Sequence, residues 1–138
     1  MVEEFQISTD KDKLDVNFIH QYLSKKSYWA KGRRIELVEK SIENSLCFGV
    51  YDANEVQVAF ARIATDYVVF AWLMDVFVAE KHQGKGIGKL IMDAIVNHEA
   101  LTKVNGIGLR TNDAHALYEK FGFEKIENAE TWMLRKKS

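Results

Sequence analysis

Proline is absent from this chain, and cysteine occurs once. With no proline, no repeat, no low-complexity tract and no linker-like stretch, residues 1–138 read as one continuous domain. Cys47 alone excludes an internal disulfide. Inside the apolar run LCFGVY it reads as a small buried hydrophobe and not as a nucleophile. The four histidines, His20, His82, His98 and His115, show no ligand spacing and have no cysteine beside them, so no metal is expected. Charge is also balanced, with 19 Lys and Arg against 20 Asp and Glu, which leaves no basic surplus for a nucleic-acid backbone. No apolar stretch approaches the ~20 residues of a membrane helix, and the opening MVEEFQISTD is acidic and unlike a signal segment. The expectation is a cytoplasmic protein with neither nucleic acid nor membrane as partner. Its hydrophobic share of 47% and charged share of 28% are those of an ordinary globular chain, long enough for a core.

The pattern of apolar residues gives the order of elements. Residues 4 to 8 suit a first strand, and Val16, Ile19 and Leu23, with Phe18 and Tyr22 beside them, mark a helix. Ile35, Val38 and Ile42 mark a second, after the loop KKSYWAKGR. The period then changes to two over 46–51, 56–65 and 68–78, with turn signals at Asp52–Asn54 and Thr65–Asp66, which describes an antiparallel meander. Ile87, Leu90, Ile91, Ala94 and Ile95 stripe a third helix. GIGLR follows as a strand, Ala114, Leu117, Tyr118 and Phe121 stripe a fourth helix ended by Gly122, and FEKIE with TWMLR suggests a closing hairpin.

Residues 76–98, VFVAEKHQGKGIGKLIMDAIVNH, carry the chemical signal. An apolar strand runs into a glycine-rich turn and a helix start, where free N–H groups and the positive end of the helix dipole suit a phosphate. A Walker A loop is excluded, because Lys89 is followed by Leu90 and lies five positions after Gly84. The dinucleotide fingerprint would need glycine at Lys89 and an acidic residue about 20 positions on, which is missing. What fits is Q/R-x-x-G-x-G/A, met by Gln83, Gly86 and Gly88. A second motif, A-x-x-L-Y-x-x-x-G-F, is met by Ala114, Leu117, Tyr118, Gly122 and Phe123. On these two motifs the chain resembles the GNAT superfamily of acetyl-CoA-dependent N-acetyltransferases.

The resemblance implies an α+β fold, with a mixed, mostly antiparallel sheet of about seven strands, four flanking helices, a bulge in strand four that the residues themselves do not show, and strands four and five splayed around the cosubstrate acetyl-CoA. It further implies a backbone cradle from Gly84 through Lys85, Gly86, Ile87, Gly88 and Lys89 for the pyrophosphate, with Gln83 where relatives often carry arginine. The edge of Val76, Phe77 and Val78 would pair with the pantetheine amides, and Asn112 and Ala114 would also touch the cofactor. Relatives often have asparagine at the place of Thr111, one step before Asn112.

Tyr118 has two readings, core packing from its helix position and, by the resemblance, the general acid for the leaving thiolate. An alkylammonium must lose a proton before it attacks a thioester, and Asp75, interrupting the apolar run WLMDVFV, is the candidate acceptor. The alternative for Asp75 is a structural carboxylate that accepts backbone hydrogen bonds or pairs with Arg62. The family places the acceptor pocket at the loop between the first two helices and at the last hairpin, here Tyr28, Trp29, Arg33 and residues 127–132, with Trp72 and Phe70 close by. The expected reaction is direct transfer of acetyl to a primary amine, on a small molecule or a peptide, and a second copy of the chain is admitted as a partner. The competing class is an acyl-CoA-binding or regulatory module that keeps the fold without turnover.

Overall fold

The period-two stretch settles into three long antiparallel strands. In the computed structural model, which describes residues 4–137, β1 (Gln6–Ser8) precedes them, β2 (Leu46–Tyr51), β3 (Gln57–Thr65) and β4 (Phe70–Val78) form the meander, and β5 (Gly106–Gly108) closes the sheet. The strands lie in the order β1-β2-β3-β4-β5. Among the described residues only β4 and β5 run parallel, through Phe70–Gly106, Ala71–Ile107 and Trp72–Gly108. The β3–β4 turn is held by Asp66, whose Oδ1 accepts the N–H groups of Val68, Val69 and Phe70 at 2.9, 2.8 and 3.2 Å. These bonds keep its carboxyl below the usual carboxylate range.

Four helices cover the sheet. α1 (Val16–Lys26) starts at Asp15, whose carboxylate accepts the Phe18 N–H at 3.0 Å, and α2 (Ile35–Glu43) packs beside it. Ile19, Leu23, Val38 and Ile42, the residues the helical period singles out, are the buried ones, and they form one core with Cys47, Phe60 and Phe77. α3 (Ile87–Val96) and α4 (His115–Glu119) cover the other face, where Ile87, Ile91, Met92, Ile95 and Tyr118 meet Phe48, Val50, Ala61, Ile63, Ala71 and Leu73. A sheet with a core on each face needs apolar residues at both parities, which is why β3 is buried along seven consecutive residues.

In β4, side chains do not alternate throughout. Ala71 and Leu73 belong to the α3 face, yet so do Val76 and Val78, while Phe77 lies on the α1–α2 face. The change of parity is a β-bulge: the register slips between the pairs Phe60–Phe77 and Arg62–Met74, and Asp75 takes φ +54, a left-handed conformation unusual for a residue with a side chain.

The expected seven strands are corrected to five. Neither FEKIE nor TWMLR forms a strand among the described residues, and 124–137 is irregular apart from a 3-10 turn at Ala129–Thr131. The reason lies in the spacing. Phe123 and Ile126 stand three apart, and Trp132, Met133 and Leu134 are consecutive, so neither segment offers one apolar face at a period of two. GIGLR is also shortened, since pairing stops at Gly108 and Leu109 and Arg110 leave β4. Gly108 is required there, because a Cβ would meet the Trp72 ring at 2.6 Å.

Candidate active site

The site grows from the point where β4 and β5 part. Beyond Trp72–Gly108, β4 continues to Val78 with no strand on that side among the described residues, so a row of backbone groups is left open along its edge. The widening gap is a cavity of about 460 Å³, walled by Trp72, Met74, Asp75 and Val76 of β4 and by residues 109–114 after β5. Tyr28, Trp29 and Arg33 of the α1–α2 loop and Tyr118 of α4 complete it.

The bulge puts Asp75 on the α1–α2 side, beside Arg62. Its side chain is almost wholly buried, and three donors hold it. Trp29 Nε1 gives a bond to Oδ1 at 2.8 Å, while Arg33 Nη1 and Arg62 Nε reach Oδ2 at 2.8 and 2.9 Å. Arg62 donates also to Ser45 Oγ at 3.1 Å and to Met74 Sδ at 3.5 Å. One buried carboxylate therefore ties β3, β4 and the α1–α2 loop together. The three bonds fit a structural carboxylate paired with Arg62, and about four lone-pair positions leave room for a further donor.

Tyr118 is 9% exposed, packs edge-on against Phe123 at 5.9 Å, and borders the cavity. Burial first, then Tyr28 and Asp113, push its hydroxyl above the ordinary tyrosine range, so it stays protonated through neutral pH. The ring packs in the core while the residue borders the cleft. Across the cleft, Tyr28 Oη accepts the Asn112 N–H at 3.1 Å, joining the α1–α2 loop to the chain after β5.

The glycine-rich loop lies past the end of β4. Gly84 and Gly86 take φ +82 and +83, and α3 begins at Ile87 with no side chain capping it, so the N–H groups of its first turn have no cap acceptor. A Cβ built on either glycine meets nothing within 4 Å, so space is open above the loop, as a pyrophosphate requires. Gln83 Nε2 donates to Val78 O at 3.0 Å and fastens the strand end to the loop. Lys85 Nζ is 3.2 Å from His82 Nδ1, and Lys89 is exposed.

The structure thus brings Asp75, Tyr118, Tyr28, Trp29, Trp72, Val76, Asn112 and Ala114 to one cavity and leaves the segment from Gln83 to Lys89 beyond its end. Phe77 keeps its side chain in the core, stacked on Tyr22 at 4.1 Å and 5°, so only its backbone is available to a ligand. Phe70, Ala129 and Trp132 border a second cavity of about 550 Å³ under the C-terminal segment. Trp72 and Tyr118 are shared by both. Sequence reasoning missed the tie of Trp29 and Arg33 to Asp75. An aspartate in an apolar strand signals a need for donors, but nothing local says that they come from 42 and 46 residues away.

Comparison with known proteins agrees with this geometry. The sequence profile of the acetyltransferase (GNAT) domain matches residues 43–125. A crystal structure from Xanthomonas campestris pv. campestris, of a protein assigned to the acetyltransferases of the GNAT family, superposes with a TM-score of 0.93 at 41% identity, over 96% of this chain and 93% of that one. A protein assigned as an acetyltransferase in Gibberella zeae is 28% identical over 85% of this chain and 77% of its own length. The spermine/spermidine N(1)-acetyltransferase of Bacillus subtilis is 43% identical over 58 residues, 38% of each chain.

Proposed function

The chain belongs to the GNAT acetyltransferase family and is an acyltransferase, and from that premise we propose that it moves an acetyl group from acetyl-CoA to a primary amine by direct attack. The observation that carries this reading is the gap between β4 and β5, open along the backbone edge of β4, bordered by Tyr118, and followed by an uncapped helix start. The edge of Val76–Val78 takes the amides of the pantetheine arm as an added strand would, and an N–H there polarises the thioester carbonyl. First-turn N–H groups of α3 take the pyrophosphate.

In the transfer, the neutral amine nitrogen forms a bond to the thioester carbon, the carbon–sulfur bond breaks, and the departing thiolate takes the proton of the Tyr118 hydroxyl. Solvent restores that proton, and the new ammonium gives its own to water. Asp75 acts as a positioning residue. It holds Trp29 and Arg33 against the cleft through the hydrogen bonds it accepts, and this reading gives it no proton to carry. Cys47 is not in the path, being 1% exposed, with its thiol pushed up to about 11 by burial.

The reading is tested by calorimetry with acetyl-CoA, followed by thiol release against a panel of amines. Binding with release supports the enzyme, whereas binding with no release from any amine would replace it by an acyl-CoA-binding module.

A further inference from the structure

We propose that the Arg33 guanidinium is the recognition group for a carboxylate on the acceptor, so that the substrate is an amine that also carries a carboxylate, an amino acid, and not a polyamine. The inference rests on reading the 460 Å³ cavity as the acceptor end of an acetyl-transfer site. Its starting point is a charge imbalance. Two guanidiniums share one carboxylate oxygen, Asp75 Oδ2, and the other oxygen is taken by Trp29, so the buried group carries one positive charge in excess.

That excess reaches the cavity at one residue. Arg62 donates to Asp75, Ser45 and Met74 and is 11% exposed at its side chain, whereas Arg33 lines the cavity, is 25% exposed, and its side chain gives one hydrogen bond among the described residues, to Asp75. The remaining N–H groups of its planar fork suit a carboxylate, which would supply the missing counter-charge. The other charged residues on the cavity wall, Arg110 and Asp113, are both exposed and opposite in sign, so they do not alter the balance. A polyamine would bring further cations against this excess.

Tyr28, Trp29 and Trp72 supply flat apolar walls for the rest of the molecule. Tyr28 and Trp29 meet edge to face at 5.1 Å, and the indole N–H of Trp29 is already spent on Asp75, which leaves the ring faces for an apolar side chain. An amino acid with an apolar side chain satisfies all three features together.

The test is thiol release with acetyl-CoA and three acceptor sets: the common amino acids, their methyl esters, and spermidine. Esters are less basic than the acids, so ionisation alone would favour them. The expected result is kcat/KM for the preferred amino acid roughly ten- to a hundredfold above its ester, with spermidine poorer still. In Arg33→Lys, which keeps the charge beside Asp75 and loses the fork, the ratio of kcat/KM for the amino acid to that for its ester should fall toward one. Esters or spermidine used as well as the acids, or an Arg33→Lys variant that preserves the preference, would overturn the inference and leave the acetyltransferase reading standing. Bound acetyl-CoA with no release from any acceptor would overturn both.

Discussion

On the proposed function, Tyr118 is the residue on which the chemistry of transfer turns. Its ring is held by Phe123 and its hydroxyl is kept protonated by burial, so Tyr118→Phe removes the proton donor and little of the packing. We expect kcat to fall roughly tenfold or more, with little change in the Michaelis constant for acetyl-CoA, in steady-state assays where chemistry limits the rate. Unaltered turnover would return Tyr118 to a packing role. Asp75 makes the opposite case. Asp75→Asn keeps volume but weakens three bonds, two of them to guanidiniums, so the melting temperature should drop and rates should fall in parallel across pH. The rate should still rise toward the amine's own pKa, because the amine loses its proton to water. A defect confined to neutral pH and cured at high pH would make Asp75 the base.

At the scale of elements, the start of α3 and the bulge in β4 position everything else. Gly86 sits at φ +83 ahead of Ile87, whereas Gly88 lies within the helix and its Cβ would rest 3.5 Å from Leu117 Cδ2, an ordinary contact. Gly86→Ala should therefore cost about 1–2 kcal/mol of stability and at least tenfold in acetyl-CoA affinity by calorimetry, because the strained turn aims the N–H groups. Gly88→Ala should do neither. Equal affinities in the two variants would remove the loop from the binding site.

The two kinds of element were not equally legible. Helices α1 to α3 could be read because a 3.6-residue period and local punctuation are properties of adjacent residues: Ile19 and Leu23, or Gly86 and Ile87, announce themselves. The bulge could not be read, since it exists only as a register slip against β3, and with it went the placement of Asp75 beside Trp29 and Arg33. The closing strands were overread from composition, where aromatic and β-branched content stood in for a period of two that residues 123–134 do not have. The motifs around Gly86 and Tyr118 were legible for another reason. Each is a short stretch of chain whose residues stay close in sequence.

Over the whole molecule, a sheet with a core on each face buries groups that resist ionisation. Burial pushes the Cys47 thiol up to about 11 and the Tyr51 hydroxyl up to about 12, from ordinary values of 9.0 and 10.0. A folded pKa above the unfolded one contributes stability that is fully present below the unfolded value and lost as pH rises through the folded one. The melting temperature should thus hold to about pH 9 and decline steadily toward pH 11–12. Tyr51 Oη is buried with no hydrogen-bond partner among the described residues, so Tyr51→Phe should soften the decline without cost at pH 7. A melting temperature level to pH 11 would contradict the burial of both groups.

The central claim is direct transfer to an amine in the cleft between β4 and β5, and single-turnover mass spectrometry tests it most directly. Enzyme in excess over acetyl-CoA labelled in its acetyl carbons is mixed with the preferred amine and quenched over time. The label should pass to the amine as CoA appears, with the protein mass unchanged at every time. Label held on the protein, or CoA released with no acetylated amine, would contradict it.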